Sequence, residues 1–165
     1  MQKVIFVIGA NAAGKTYFIE HHLASEKAVV LNIYDYQQKV YDEHGNKELI
    51  TFEEQFRCLK KANEKHLHDI INELKLGNDV IAEQTFFKAK RRIAYIDEIR
   101  KEMDAKIEVY VMHTSNERWI ENSKKREDIE NIEVYENQKK QMEFPNPAEG
   151  FDAIFEVVEI GRAHV

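Results

Sequence analysis

The sequence lacks several features that would place it outside the ordinary globular proteins. Cys58 is the only cysteine, which excludes an intramolecular disulfide and favours a reducing compartment. No apolar run approaches the roughly 20 residues that a membrane-spanning helix requires. The N-terminus does not have the basic, apolar and small-residue order of a signal peptide. We therefore expect a cytoplasmic protein.

An excess of positive charge is also missing. The 165 residues include 24 Lys and Arg against 30 Asp and Glu, which gives a formal net charge of −6. Because proteins that coat nucleic acid are normally basic, this balance argues against broad, non-specific polynucleotide binding. It leaves room for a short, locally basic groove. The length and the 43% hydrophobic content fit a single domain, which we expect over residues 1–158.

What the sequence does contain is an alternation of strand and helix patterns. Strands are predicted at residues 3–8, 28–33, 79–84, 106–112 and 153–158, and helices at 14–24, 88–102, 115–127 and 132–143. A long helix is predicted to begin at the capping box of Thr51 and Glu54 and to end near Gly77. Helical connections between buried strands predict a three-layer α/β/α sandwich with a mostly parallel five-stranded sheet.

The segment GANAAGKT carries the strongest motif. It matches the P-loop pattern G-x-x-x-x-G-K-[ST] at every fixed position, between a buried strand and a helix start. Backbone amides and the helix N-terminus can then surround phosphate oxygens, with Lys15 on the β- and γ-phosphates of ATP and Thr16 on Mg²⁺. The alternative, a glycine-rich turn with a helix cap, fits the pattern less well. The predicted nucleotide-binding residues are Gly9, Asn11, Ala12, Ala13, Gly14, Lys15, Thr16 and Tyr17.

Two acidic residues lie where predicted strands end, Asp35 just past the second and Glu83 within the end of the third, at the edge where α/β sheets gather ligands. Asp35 is a candidate general base for an attacking hydroxyl, or alternatively a helix N-cap. Glu83 is a candidate for holding Mg²⁺ through water or for binding substrate, or it simply meets solvent. Thr85 is predicted either to contact the substrate or to turn the chain.

Basic residues form a cluster at the start of the fourth predicted helix, comprising Lys88, Lys90, Arg91 and Arg92. A helix dipole disfavours positive charge there, so the cluster indicates an anionic substrate. Arg91 and Arg92 are the candidate substrate-binding residues. Further along, Arg118, Asn122 and Arg126 share one helix face, from which an arginine could close over ATP as part of a lid.

Several stretches resemble the polynucleotide 5′-hydroxyl kinase domains and related small P-loop kinases, including zeta-toxin-like enzymes. IGANAAGKT matches their phosphate loop, VIAEQTFFKAKRRIAYI their third strand and basic helix, and ENSKKRE their lid. NIYDYQ resembles the segment that carries the general base. KKQMEFPNPAEGFDAIFEV is similar to their C-terminal Gln-Phe-Glu-x-Pro-x-x-x-Glu-Gly-Phe segment.

This resemblance implies a P-loop fold and an ATP- and Mg²⁺-dependent kinase in which Lys15, Asp35 and Arg126 are catalytic. It implies a 5′-hydroxyl of a nucleic acid or nucleotide as the acceptor, without an obligate protein partner. Tyr34 and Gln37 stand near places where relatives have a second acid and a substrate-binding arginine. The missing arginine leaves a non-catalytic nucleotide-binding regulator as one alternative. Glu83 followed by x-Thr is closer to the zeta-toxin branch, so a zeta-toxin-like sugar-nucleotide or small-molecule kinase is the other. The tail EIGRAHV resembles a translated sequencing adapter, and we assign it no function.

Overall fold

The sheet matches the predicted strands closely. The structure, a computed structural model, describes residues 1–10, 13–23, 27–45, 51–124 and 132–158. Its strands are β1 (Gln2–Ile8), β2 (Val29–Asn32), β3 (Val80–Gln84), β4 (Ala105–His113) and β5 (Ala153–Val158). They form one sheet in the order β2-β3-β1-β4-β5, and every neighbouring pair is parallel. The five predicted strands are confirmed to within one residue at each end.

Helices connect these strands. They are α1 (Lys15–His22), α2 (Ile33–His44), α3 (Phe52–Lys75), α4 (Ala89–Glu102), α5 (Asn116–Ser123) and α6 (Ile132–Gln141), followed by a 3-10 turn at Pro147–Glu149. The predicted capping box opens α3, where the Thr51 hydroxyl accepts from the Glu54 amide at 3.2 Å. Within the described ranges, no helix has the length and apolar character needed to cross a membrane.

Helix α2 is the element that the sequence patterns do not predict. It begins at Ile33, inside the predicted second strand, because the Asn32 side chain accepts a hydrogen bond from the Tyr34 amide at 2.9 Å and caps the helix. The capping interpretation of Asp35 is therefore wrong. Asp35 lies in the first turn of α2, where the helix dipole favours a carboxylate.

The core lies on both faces of the sheet, which confirms the three-layer architecture. On one face Phe6 and Ile8 pack with Ile70 of α3 and Ile96 of α4. On the other face Val7 packs with apolar residues of α1. Since successive side chains of a strand point to opposite faces, a strand covered on both sides must be apolar throughout. This explains the continuous apolar run of β1.

The strand register brings three functional segments to one edge of the sheet. Asn32, at the end of β2, pairs with Glu83 of β3, and Glu83 pairs with Val7 of β1. The loop after β1, the start of α2 and the end of β3 are consequently neighbours. This is the edge at which parallel α/β sheets bind ligands.

Candidate active site

The loop after β1 has a backbone conformation that requires its two motif glycines. Gly9 has a φ of +151°, and a Cβ added there would lie 3.0 Å from the Cβ of Met112. Gly14 caps α1 with a φ of +93°, in the left-handed region. The hydroxyl of Thr114, just after β4, donates to the carbonyl of Ala13 at 2.8 Å and ties the loop to the sheet. Asn11 and Ala12 lie outside the described residues.

Lys15 is folded into this loop and is only 5% exposed. Its Nζ donates to the carbonyl oxygens of Gly9 at 2.7 Å and Ala10 at 3.0 Å. The ammonium also lies 5.8 Å from the centroid of the Tyr34 ring, within the range of a cation–π contact. A positive charge is therefore fixed inside the loop, next to the start of α2. Tyr17 lies two residues further along, with its ring against that of His21 at 4.1 Å.

Thr16 and Glu83 meet beside this lysine. The Thr16 hydroxyl donates to Oε1 of Glu83 at 2.7 Å. Glu83 is only 3% exposed, so the alternative that it simply meets solvent is wrong. Burial raises the pKa of Glu83, and the charges of Asp35 and Glu20 raise it further. The Thr16 hydrogen bond and the Lys15 charge act in the opposite direction.

These two oxygen groups suit Mg²⁺. In kinase sites this ion is commonly bound by one or two protein groups together with substrate phosphates and waters, rather than by a protein cage. Consistently, the part of the chain that the structure describes contains no group of three or more His, Cys, Asp or Glu suited to a metal ion. The donor set of Thr16 and Glu83 therefore fits the ion that the sequence predicts.

Asp35 is exposed on the first turn of α2, and its charge reaches Glu83 strongly enough to raise the pKa of that carboxyl. Its neighbour Tyr34, rather than Asp35 itself, lies against Lys15. Thr85 is half-buried just beyond β3, and Arg91 is exposed on α4. These placements bring Asp35 and Glu83 together at the ligand-binding edge.

Arg92 does not fit its predicted role in substrate binding. Its side chain is fully buried, and Nε and Nη2 donate to the two carboxylate oxygens of Glu149 at 2.7 and 3.0 Å. Nη1 donates to the carbonyl of Phe86 at 2.6 Å, and Nη2 also donates to the carbonyl of Glu143 at 2.7 Å. The prediction is wrong because Arg92 is paired with Glu149, which lies 57 positions further along the chain. A pattern of neighbouring charges cannot indicate such a distant partner.

The predicted lid is described only in part. Arg126 lies outside the described residues, and Arg118 pairs with Glu121 at 3.0 Å. Trp119 of α5 is 3% exposed and packs against Ala10 of the loop and Phe87, which follows β3. Helix α5 therefore rests directly on the phosphate loop.

A cavity of about 360 Å³ adjoins the loop, and sequence analysis did not identify it. Its lining includes Ala10, Ala13, His113, Thr114, Met142 and Phe144. The rings of His113 and Phe144 stack with centroids 5.6 Å apart and an interplanar angle of 13°. Phe144 is 44% exposed. His113 and Phe144 come from separate segments of the chain, so no local sequence pattern indicates that they line one cavity.

Comparisons with known proteins agree with this architecture. A family model described as an AAA domain, AAA_33, matches residues 4–145. A candidate kinase from Chloroflexus aurantiacus J-10-fl has a similar structure, with a TM-score of 0.75 and 16% identity over 95% of this chain and 85% of that one. A gluconokinase from Sinorhizobium meliloti 1021 has a TM-score of 0.58 and 15% identity, over 98% of this chain and 85% of that chain.

A chain of the Pnkp1/Rnl/Hen1 RNA repair complex is also similar, with a TM-score of 0.67 and 17% identity. The match covers 86% of this chain but only 44% of that longer chain. No curated protein matches the sequence. At these identities the structural similarities establish the fold alone.

Proposed function

The chain belongs to the AAA_33 family of P-loop kinase domains, and we propose that it transfers the γ-phosphoryl group of ATP to a hydroxyl group. The observation that carries the proposal is the convergence of Lys15, Thr16 and Glu83 around one loop. Phosphoryl transfer depends mainly on alignment and charge neutralisation. Alignment and charge neutralisation can both come from this site. It offers the buried ammonium of Lys15, the oxygens of Thr16 and Glu83 for a cation, and the N-terminus of α1.

The phosphate loop and α1 bind the β- and γ-phosphates in this proposal. Lys15 exchanges the carbonyls of Gly9 and Ala10 for phosphate oxygens, which are better partners because they carry charge. Thr16 and the Glu83 carboxylate would hold Mg²⁺. When bound, Mg²⁺ neutralises charge on the transferred phosphoryl group.

Asp35 is the proposed general base. As the acceptor oxygen bonds to the γ-phosphorus and the bond from that phosphorus to the β-phosphate oxygen breaks, the acceptor proton passes to the Asp35 carboxylate and ADP leaves. Its exposed position at the same edge as Glu83 supports this role. Arg126 is proposed to neutralise charge from the lid, which rests on the ENSKKRE motif alone.

The cavity beside the loop is the proposed site of the nucleoside. Its volume is near the lower end of the range for small-molecule pockets. His113 and Phe144 offer a partly exposed stacked aromatic surface on which a nucleobase can stack. The adenine would then lie over the end of β4, and the phosphates would extend toward Lys15.

A nucleic-acid or nucleotide 5′-hydroxyl remains the first candidate acceptor. The C-terminal segment that resembles the polynucleotide kinases and the exposed Arg91 support it. A small-molecule hydroxyl is the second candidate. The observation in its favour is that Glu83, Asp35 and Glu20 make the acceptor side acidic while Arg92 is engaged elsewhere. A phosphate-rich acceptor is less suited to such a site.

One assay separates these candidates. The protein is incubated with ATP labelled at the γ-phosphate and, in separate reactions, a 5′-hydroxyl oligonucleotide, a UDP-sugar and gluconate. Transfer to one acceptor class identifies it, and Lys15→Ala is expected to abolish that transfer. ATP binding without transfer to any acceptor would overturn the kinase proposal in favour of a nucleotide-binding regulator. Full activity of Lys15→Ala would overturn the role of the loop.

A further inference from the structure

We propose that Arg92 is a positioning residue for phosphoryl transfer. Paired with Glu149, it holds the acceptor loop, which we define as the connection Thr85–Lys88 between β3 and α4, against the segment that follows α6. The acceptor loop is thereby joined to this segment, residues 142–146, which we call the lid return. This inference rests on the proposed function, because it takes the acceptor loop to lie where the substrate of a kinase would bind.

The Arg92 guanidinium connects three separate parts of the chain. It forms a two-bond pair with the Glu149 carboxylate in the 3-10 turn before β5. It also donates to the carbonyl of Phe86 in the acceptor loop and to that of Glu143 after α6. Glu149 in turn accepts from the Asn146 amide at 3.0 Å. Each partner is an oxygen atom held in place by its own segment. The planar guanidinium of Arg92 therefore fixes how the three segments are oriented relative to one another.

The acceptor loop depends on this anchor because its backbone is strained. Phe86 has a φ of +48°, a backbone conformation that glycine adopts readily but that is unfavourable for a residue with a large side chain. Its ring is nevertheless fully buried, stacked at 5.2 Å on Phe6. The same residue's carbonyl accepts from Arg92 at 2.6 Å. Phe86 lies three positions after Glu83 and one after Thr85, so the strained residue belongs to the connection that begins where β3 ends.

The lid return is also hydrogen-bonded to the acceptor loop and to the first residue of α4. The Glu143 amide donates to the carbonyl of Phe87 at 2.7 Å, and the Glu143 carboxylate accepts from the Ala89 amide at 2.9 Å. Phe87 also packs with Trp119 of α5 and Ala10 of the phosphate loop. The residues on both sides of the lid segment therefore contact the acceptor loop.

Stability alone does not account for this arrangement. A buried ion pair is often replaceable by apolar residues without loss of stability, because desolvation offsets much of the attraction. Its characteristic contribution is a specific geometry. Arg100, two turns further along α4, offers a comparison because it also binds a carboxylate and carbonyls, through Asp152, Gly150 and Ala105. It does so away from the loop and partly exposed.

The test compares Arg92→Lys with the matched control Arg100→Lys. In Arg92→Lys, a single ammonium replaces the planar guanidinium and cannot bond all three partners. We therefore expect the amides of Ala89 and Glu143, which join the two segments, to exchange hydrogen about tenfold faster. The KM for the acceptor should rise about tenfold, the change produced by one charge-assisted hydrogen bond. The dissociation constant of ATP should rise less than the acceptor KM, because no Arg92 hydrogen bond reaches Lys15 or the phosphate loop. Arg100→Lys should leave all three measurements unchanged.

A second variant covers the case in which Arg92→Lys fails to fold. Glu143 is exposed, so Glu143→Ala removes only the carboxylate that accepts from Ala89. It should change the Ala89 exchange and the acceptor KM in the same direction, though less. The proposal is overturned if folded Arg92→Lys behaves like Arg100→Lys, or if Arg92→Lys does not fold and Glu143→Ala behaves like wild type. If the wild type transfers to no acceptor, the proposed function fails, and amide exchange still decides whether Arg92 joins the two segments.

Discussion

Thr16 and Glu83, 67 residues apart in the chain, are joined by a hydrogen bond of 2.7 Å from the threonine hydroxyl to Oε1 of the carboxylate. Thr16 lies in the first turn of α1, and Glu83 belongs to β3. Their contact links the phosphate loop to the neighbouring strand at the edge of the sheet. These are the two protein oxygens that we propose to hold Mg²⁺ beside the β- and γ-phosphates.

Removing the Glu83 charge should weaken Mg²⁺ binding. We expect Glu83→Gln to raise the Mg²⁺ concentration for half-maximal activity by about 10- to 100-fold, as for other losses around a metal site. Activity measured across a Mg²⁺ titration tests this. Glu108→Gln is the control, since Glu108 is a buried strand glutamate that pairs with Lys3 rather than with the loop. An unchanged Mg²⁺ requirement in Glu83→Gln would contradict the role.

The pH dependence of Mg²⁺ binding should reflect the raised pKa of Glu83. Burial is the main cause of that increase. Because only the deprotonated carboxylate binds the cation, lowering the pH through the raised pKa should reduce Mg²⁺ affinity earlier than for an ordinary glutamate. Mg²⁺ titrations at several pH values measure this. The trend should disappear in Glu83→Gln, and its persistence there would assign the titration to another group.

Replacement of Asp35 should separate binding from transfer. We expect Asp35→Asn to lower kcat by about 100-fold or more, the range for loss of a general base, with ATP affinity unchanged. Steady-state kinetics and ATP titration measure the two quantities. Asp42→Asn is the control because Asp42 is exposed on the same helix and bonds only Gln38 among the described contacts. Equal rates for Asp35→Asn and wild type would exclude Asp35 as the base.

The stacked aromatic pair should contribute to ATP affinity. Phe144→Ala is expected to raise the KM for ATP by about 2- to 10-fold, the equivalent of one aromatic stacking contact, with little change in kcat. Phe155→Ala serves as the control, since Phe155 is equally exposed but stacks on Tyr110 of the sheet. A similar effect of both variants on KM would remove the nucleobase from this cavity.

His66 should make the fold sensitive to acid. It is fully buried, with Nε2 at 2.8 Å from the carbonyl of Leu31 and Nδ1 at 3.0 Å from the hydroxyl of Tyr95. Burial lowers the pKa of His66 from 6.5 to about 4, against the opposing effects of the Leu31 carbonyl and Asp69. Above pH 6.5 the folded and unfolded states are both neutral. Between these values only the unfolded state binds the proton, so the free energy of unfolding falls, by about 3 kcal/mol in total.

His66→Gln tests this, because glutamine keeps a donor for Leu31 but does not titrate. Denaturant unfolding at pH 7 should show a loss of about 1 kcal/mol, the value of one hydrogen bond. As the pH falls toward 4.5, wild type should lose stability that the variant keeps, so the difference should vanish between about pH 6 and 5 and then reverse, leaving the variant the more stable. A constant difference over that range would show that His66 does not carry the acid sensitivity.

Local patterns predicted those parts of the site that depend on neighbouring residues. The phosphate loop follows from glycine spacing between a strand and a helix, and Gly9 and Gly14 do adopt the backbone angles that glycine permits. The capping box at Thr51 likewise involves residues three apart. Helix α2 was missed because Ile33 and the tyrosines after it favour strands, whereas a cap from Asn32 and packing against α3 decide the outcome.

The sequence by itself determined the five strands, the α/β layering and the position of the phosphate loop, because backbone periodicity and turn chemistry are encoded within a few residues. Only the tertiary structure decided the order of the strands, the contact of Glu83 with Thr16 and the burial of Arg92 against Glu149. The physical reason is that a charged side chain is satisfied by whatever the fold brings to it. For Arg92 and Glu83 those partners lie more than 50 positions away.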